Sequence, residues 1–197
     1  MANKVRYGLS NCKYSIYDPD TDTYAAPVAM PGAVSLSITR EGGDSSDFWA
    51  DDGVYHTFPG SNGGYSGDLE MARITPAERS ALLGEVYDQT KKMYSEVTDP
   101  GDIQFALICE YKGDRQPMAQ VFYNCKASRI ETNANTMNDS PSVDTDTLHI
   151  RMAAQEFSIG GEKVGYVQSH MEKENANATE YAAFLASVQL PSGVDES

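Results

Sequence analysis

The sequence predicts a mainly β protein of the α+β class: an antiparallel β-sandwich or barrel with a flanking α-helix and a long loop or hairpin. Several runs alternate apolar and polar side chains with period two, the pattern of a half-buried strand. Only two short segments carry the signals of a helix. Because the strands do not alternate with long helices, a doubly wound parallel sheet is disfavoured.

The strand predictions follow from this alternation. The clearest case is Val34, Leu36 and Ile38. The other alternating runs lie at residues 69–71, 103–111, 119–127 and 148–154. Shorter segments rich in Tyr and Val, which are typical of strands, are residues 5–9, 13–17, 54–58 and 163–168. The sequence Lys112-Gly-Asp-Arg115 separates two of the runs and predicts a β-hairpin.

The first predicted helix follows Thr75. Thr75 is a good N-cap, Pro76 suits the first helical position, and Glu78 completes a capping box. We expect this helix to continue to about Leu83 and to stop before Gly84.

The second predicted helix lies near the C-terminus, where Asn177 and Glu180 can form another capping box. Four apolar residues then fall on one helical face, at positions i, i+3, i+4 and i+7: Tyr181, Phe184, Leu185 and Val188. We expect Pro191 to end the helix.

Three segments rich in Gly, Asn, Asp, Ser and Pro are predicted to be loops. They are residues 18–26, residues 42–52 together with a glycine-rich tip at 60–67, and residues 133–142. For a chain of 197 residues we expect a single domain, residues 1–191, followed by a flexible tail at 192–197.

The charge balance limits the possible partners. The chain has 15 Lys and Arg against 29 Asp and Glu, a formal net charge of -14, which argues against binding a phosphate backbone. Self-association would need apolar or backbone contacts that overcome this repulsion. We find no stretch suited to a signal peptide or a membrane span, and therefore expect a soluble, cytoplasmic protein with no membrane partner. Three widely spaced cysteines, Cys12, Cys109 and Cys125, predict buried reduced thiols.

No motif indicates catalysis or a bound cofactor. Asp18, Asp20 and Asp22 resemble the opening of a calcium loop, but Thr23 replaces the required glycine and Ala29 the bidentate glutamate. The glycine-rich segment 60–67 lacks the ending of a phosphate-binding loop. The three histidines, His56, His149 and His170, lie in no recognisable catalytic or metal-binding signature. We therefore predict no enzymatic activity, no cofactor and no metal.

One segment is unusual in its charge. From residue 41 to residue 72 there are seven acids and no Lys or Arg: Glu41, Asp44, Asp47, Asp51, Asp52, Asp68 and Glu70. A solvated hairpin would account for this composition. The alternative is a face that repels a polyanion passing close by, and these seven residues are then candidates for lining a lumen.

The same segment is rich in aromatic residues: Phe48, Trp49, Tyr55, Phe58 and Tyr65. Aromatic side chains on a projecting segment often anchor protein interfaces, because they bury much area at little cost in entropy. Packing into the core is the competing explanation, and the sequence does not decide between the two.

Seven segments of the sequence carry a resemblance to a known family through their number and order. They are residues 5–11 (VRYGLSN), 31–38 (PGAVSLSI), 48–55 (FWADDGVY), 62–70 (NGGYSGDLE), 105–111 (FALICEY), 122–129 (FYNCKASR) and 146–148 (DTL). In this order they resemble the major tail protein family, the tail tube subunits, of siphophages that infect Gram-positive bacteria, and the resemblance covers roughly residues 5–190.

The resemblance implies a fold of the phage tail tube type, whose subunits form hexameric rings that stack into a conduit for DNA ejection. Implied partners are further copies of the chain and the tape measure, terminator and distal tail proteins, with transient, non-specific passage of DNA. The implied location is the virion tail, assembled in the host cytoplasm. We hypothesise that residues 41–68 supply a hairpin or loop that contacts the next subunit or ring, with part of its acid content facing the lumen.

The alternative is a non-enzymatic β-sandwich binding module, either carbohydrate-binding or a phage decoration protein. Such a module would use exposed aromatic side chains such as Trp49 and Tyr55 to stack on its ligand. It would stay monomeric or bind a preformed shell.

Overall fold

The computed structural model describes residues 4–132, 134–136, 143–159, 161–173 and 176–192. The first part of the chain forms β1 (Arg6–Asp18), β2 (Thr23–Tyr24), β3 (Val28–Ala29), β4 (Ala33–Glu41), β5 (Ser46–Ala50), β6 (Gly53–Phe58), β7 (Gly64–Met71) and α1 (Pro76–Leu83). The second part forms β8 (Val86–Asp88), β9 (Met93–Ser95), β10 (Phe105–Gly113), β11 (Met118–Ala127), β12 (Glu131–Thr132), β13 (Asp146–Ala153), β14 (Gln155–Ile159), β15 (Glu162–Tyr166), β16 (Gln168–Glu172) and α2 (Ala178–Ala186).

The strands form one large antiparallel sheet and three separate hairpins. The large sheet has the order β2-β1-β10-β11-β13-β7-β4, with β3 on β1, β12 on β13 and β16 on β11. The hairpins β5–β6, β8–β9 and β14–β15 each form a two-stranded sheet of their own. The predicted class, mainly antiparallel β with a few short helices, is therefore confirmed.

The large sheet packs apolar side chains on one face along most of its strands, and on the other face only at β10 and β11. On one face, residues of β1, β7, β10, β11 and β13 pack together with Leu82 of α1. On the other face, β10 and β11 pack against Tyr181 and Phe184 of α2. Successive residues of β10 face opposite clusters, as with Phe105 and Ala106, so this central strand is buried on both sides.

Most strand predictions are confirmed, and the differences have local causes. The predicted strands 5–9 and 13–17 are one strand, β1, with register shifts around Gly8 and Asn11, both of which have positive φ. These shifts interrupt the alternation on which the sequence prediction depended. The predicted strand 163–168 is divided between β15 and β16, and β16 joins the large sheet by pairing with β11. The predicted hairpin at Lys112–Arg115 does connect β10 with β11.

Helix α1 has the predicted boundaries and capping box. The Thr75 hydroxyl accepts a hydrogen bond from the Glu78 amide at 3.3 Å, and the Glu78 carboxylate accepts one from the Thr75 amide at 2.6 Å. Gly84 ends the helix in the left-handed conformation with φ 71, and its amide donates to the Ser80 carbonyl.

Helix α2 has the predicted N-cap but not the predicted end. Asn177 accepts hydrogen bonds from the Thr179 and Glu180 amides. The helix stops at Ala186 because Ser187 takes an extended conformation, so Pro191 does not end it. After the end of α2, the Tyr123 hydroxyl donates a hydrogen bond to the Gln189 carbonyl at 2.9 Å.

Two predicted loops contain strands. Residues 42–52 include β5, and residues 60–67, predicted as a tip, include the start of β7. The tip of this excursion is instead at Asp51 and Asp52, because aspartate tolerates the left-handed conformation that a two-residue hairpin turn requires. The predicted loop 18–26 contains β2, which pairs with β1. Apart from residues 134–136 and 192, the predicted loop 133–142 and the predicted tail 192–197 lie outside the described residues.

The cysteines are buried and free, as predicted. The Sγ atoms of Cys12 and Cys109 lie 3.0 Å apart between the neighbouring strands β1 and β10. Burial raises the pKa of the Cys125 thiol above its ordinary value, which keeps it protonated and unreactive.

Candidate assembly surface

A long arm leaves the large sheet between β4 and β7. These two strands pair from Ala33 opposite Met71 to Glu41 opposite Gly64. Beyond that point the two chain segments, residues 42–45 and 59–63, continue side by side, and we call them the stem. They lead to the hairpin Ser46–Phe58, formed by β5, β6 and their turn, which we call the acidic hairpin.

Glycines allow the stem and the end of β7 to pack backbone against backbone. A Cβ atom on Gly42, whose φ is +142, would lie 2.1 Å from the Ser61 carbonyl oxygen. A Cβ atom on Gly64, whose φ is +91, would lie 2.1 Å from the Met152 carbonyl oxygen of β13. Neither position accepts a side chain without moving its neighbour. The glycine-rich sequence therefore forms the base of the arm, and not its tip.

The turn of the acidic hairpin carries two unshielded negative charges. Asp51 and Asp52 have φ values of 50 and 61 and lie between the paired residues Ala50 and Gly53, which is the geometry of a type I′ turn. Both carboxylates are exposed. Further along the hairpin, the Asp47 carboxylate accepts a hydrogen bond from the Thr57 hydroxyl at 2.6 Å.

Large apolar side chains cover the acidic hairpin. Phe48, Trp49, Tyr55 and Phe58 are 54%, 64%, 74% and 54% exposed. The rings of Phe48 and Tyr55 meet edge to face at a centroid distance of 6.4 Å. The fifth predicted aromatic, Tyr65, lies on β7, is half-buried, and packs edge to face on Phe122 at 6.3 Å. Tyr65 thus belongs to the core, and the other four are available to a partner.

The outward face of β4, β7 and β13 is polar, and we call it the polar face. It lies opposite the core because Leu36, Leu69 and Leu148 of the same strands pack inward. The strand register brings three cross-strand rows of polar residues together on it: Ser35, Glu70 and Thr147; Ser37, Asp68 and His149; and Thr39, Ser66 and Arg151.

Charges on the polar face are held by hydrogen bonds and ion pairs. Hydroxyl groups of Ser35 and Thr145 each donate to the Glu70 carboxylate at 2.8 Å, and these bonds hold the pKa of Glu70 below its ordinary value. The His149 Nδ1 atom lies 2.5 Å from the Asp68 carboxylate. These contacts fix the outward side chains in place without adding any apolar surface.

The seven predicted acidic residues therefore do not form a single surface. Glu41, Asp68 and Glu70 lie on the polar face, where Arg151 approaches the Glu41 carboxylate at 3.8 Å. The others lie on the arm: Asp44, Asp47, Asp51 and Asp52. The sequence does not predict His149 and Arg151 in this neighbourhood, because β13 is brought beside β7 only by the fold.

A second exposed hairpin was not predicted from the sequence. Strands β8 and β9 form the hairpin Val86–Ser95, which we call the basic hairpin. The rings of Tyr87 and Tyr94 pack at a centroid distance of 4.7 Å, and Val86 and Met93 are also exposed. Strands of three residues are too short to show alternation, so the only available signals were the two tyrosines and the turn residues between them.

Neither a metal site nor a membrane-spanning helix is present in the part of the chain that the structure describes. Among the described residues, no three His, Cys, Asp or Glu side chains are grouped as a metal site would require. In the same residues, no helix is long and apolar enough to cross a membrane. Beside α1 is a cavity of about 410 Å³. Its three cationic side chains, Arg79, Lys126 and Arg129, each pair with a different carboxylate.

No family model matches the chain, and no curated protein matches it. Similar solved structures come from contractile injection systems. A chain of the extended PVC sheath-tube complex has a TM-score of 0.46 and 9% identity, and the match covers 82% of this chain and 88% of that one.

Two further similar structures come from the anti-feeding prophage. A chain of its 6-fold symmetrised baseplate has a TM-score of 0.46 and 10% identity, with 87% of this chain and 97% of that chain covered. A chain of its tube terminating cap has a TM-score of 0.48 and 8% identity, with coverages of 87% and 95%. No siphophage protein is among these three, and likenesses of this degree carry no argument about the function of the chain.

Proposed function

We propose that the chain is a non-enzymatic structural subunit of a phage-like tail tube, of the siphophage major tail protein type, with residues 1–191 as a single domain. In this proposal its copies form hexameric rings that stack into a conduit for DNA. Tape measure, terminator and distal tail proteins are its further partners. The virion tail, assembled in the host cytoplasm, is its location.

The observation that carries the proposal is the acidic hairpin. Four aromatic side chains that are each more than half exposed leave roughly 400 Å² of apolar surface on one projection. Exposed aromatic side chains concentrated on one projection are typical of an interaction site. Burying it would contribute about 10 kcal/mol before the entropic cost of association, which is of similar size. Other contacts must therefore contribute as well.

The free edge of the large sheet supplies such a contact. β4 is nine residues long, and among the described residues its only strand partner is β7, so no second strand forms ladder hydrogen bonds with its other edge. An open edge of this length is normally shielded or extended by another strand. Neighbouring copies that add strands to this edge would form backbone hydrogen bonds and remove the exposed edge, which accounts for assembly despite a charge of -14 on each copy.

The polar face is suited to line the conduit. Its exposed groups are hydroxyls and carboxylates, together with two basic side chains, Arg151 and His149, that lie beside Glu41 and Asp68. DNA binding depends on Lys and Arg groups that displace counterions from phosphates, and this face offers few of them. DNA can then pass along it without being held.

Sedimentation velocity and negative-stain microscopy of the full chain across a concentration series test the proposal. We expect rings or tubes to form as concentration rises. The double variant Trp49→Ser/Tyr55→Ser should need at least about tenfold more protein to assemble, because it loses two anchors that each bury area worth more than 1.4 kcal/mol.

The matched control is Tyr7→Ser, since Tyr7 is an exposed aromatic residue on β1, away from the arm. It should assemble like the wild type. A chain that stays monomeric at every concentration would refute the proposal. If that monomer also bound oligosaccharide through Trp49 and Tyr55, the alternative binding-module function would replace it.

A further inference from the structure

Two hairpin turns each carry a pair of consecutive residues of like charge, one pair acidic and the other basic. Asp51 and Asp52, at the tip of the acidic hairpin, are the only two consecutive aspartates in the sequence. Lys91 and Lys92, in the turn of the basic hairpin, are its only two consecutive basic residues. Both pairs are exposed, and within the part of the chain that the structure describes none of the four side chains forms an ion pair. Each pair is thus left without a partner within one copy.

Both turns are held in fixed conformations. In the basic hairpin the Asp88 carboxylate accepts hydrogen bonds from the Thr90 and Lys91 amides at 2.8 and 3.0 Å. The Lys92 amide donates to the Asp88 carbonyl at 2.8 Å. The Asp88 carboxylate is therefore occupied by backbone amides of this turn and forms no ion pair with either lysine. A rigid turn loses little conformational entropy when a partner binds.

The flanks of the two hairpins are also similar. Each carries a packed aromatic pair, Phe48 with Tyr55 on the acidic hairpin and Tyr87 with Tyr94 on the basic one. Exposed apolar rings beside complementary charged turns are the composition of an interface that is apolar at its centre and polar at its rim.

We infer that the acidic hairpin of one copy docks on the basic hairpin of the next copy, with Asp51 and Asp52 facing Lys91 and Lys92. The inference rests on the proposed function and names the contact through which the copies recognise each other. Because the two surfaces differ, the contact is head-to-tail, and it repeats through a closed ring or an open stack. A contact between two hairpins buries less than the roughly 800 Å² per partner of a stable interface. The hairpin contact therefore selects and orients neighbouring copies, and the edge of β4 contributes the remaining contact area.

Charge reversal in the full-length chain tests this inference. Asp51→Lys/Asp52→Lys and Lys91→Glu/Lys92→Glu should each raise the concentration needed for assembly by at least about tenfold, because attraction becomes repulsion at every contact. The fourfold variant that exchanges both pairs keeps the net charge of -14 and should assemble like the wild type. An equimolar mixture of the two double variants should co-assemble, since each supplies the charges that the other now needs.

The control for net charge is Asp99→Lys/Glu162→Lys, which changes the total charge as much as Asp51→Lys/Asp52→Lys does, at exposed sites outside both hairpins. Circular dichroism verifies that every variant is folded. If the wild type assembles and the reversed variants assemble equally well, or if the exchange fails to restore assembly, the hairpin contact is wrong while the proposed function stands. If the wild type never associates, the proposed function itself is wrong and the contact fails with it.

Discussion

The close packing at the base of the arm makes Gly64→Ala the most informative single substitution. An alanine there must adopt φ near +91, which costs about 1–2 kcal/mol relative to glycine. Its Cβ would lie 2.1 Å from the Met152 carbonyl oxygen, so β7 must move away from β13 by about an ångström at this end. One or two backbone hydrogen bonds would be lost, at about 1 kcal/mol each. We expect the free energy of unfolding to fall by about 2–4 kcal/mol.

The assay is urea unfolding followed by far-UV circular dichroism, at a protein concentration low enough to keep the chain monomeric. With a urea dependence of about 2–3 kcal/mol per molar, the midpoint should fall by about 0.7–2 M. Trp49 fluorescence is a poor probe of the core because this side chain is already exposed. The matched control is Gly53→Ala, where no atom lies within 4 Å of the added Cβ and the change should stay within about 0.5 kcal/mol. Equal midpoints for the two variants would refute the close approach of β7 to β13.

Two further predictions concern the N-cap of α1 and two buried tyrosines. Thr75→Ala removes the hydroxyl that accepts from the Glu78 amide, and calorimetry should show a melting temperature lower by about 2–4 °C, while the exposed-loop control Thr98→Ala stays at the wild-type value. Burial raises the pKa of Tyr111 and of Tyr181 above the ordinary value for tyrosine. The folded state therefore favours the neutral phenols, and their contribution to stability is fully present below about pH 10. This contribution is lost as the pH rises towards the raised pKa values. Urea titrations from pH 8 to pH 11 should show this decline, with a shallower one in Tyr181→Phe; a flat profile would contradict it.

The sequence was sufficient for elements whose signals are local. The capping box at Thr75 and Glu78 needs only four consecutive residues, and the helix begins as predicted. The alternation in β10 and β11 and the short connection between them also predicted their pairing. What local patterns could not supply is strand order. β13 pairs with β7 although the paired residues are 75 to 87 positions apart in the sequence, and no periodicity encodes such a contact.

The composition of the sequence locates the candidate assembly surface but does not predict its shape. Acids and aromatics mark residues 41–70, and the glycines predict a tip at residues 60–67, whereas Gly42 and Gly64 lie where backbone segments come too close for a Cβ. Asp51 and Asp52 were considered only as charge, although two aspartates can also form a turn. The basic hairpin was missed because its strands are three residues long.

The separation of the acidic residues into two groups changes what the net charge can do. Had all seven lined one face, repulsion between neighbouring copies would have been concentrated at the surface where they meet. Instead, Glu41, Asp68 and Glu70 lie among hydroxyls and basic groups on the polar face, while Asp51 and Asp52 stand at the end of an arm. Salt screens the charges at the end of the arm beyond about 8 Å, the Debye length at physiological salt. These charges therefore act only on groups that the tip of the arm approaches closely. The arm can therefore attract a basic turn on the next copy even though the copies as a whole repel each other.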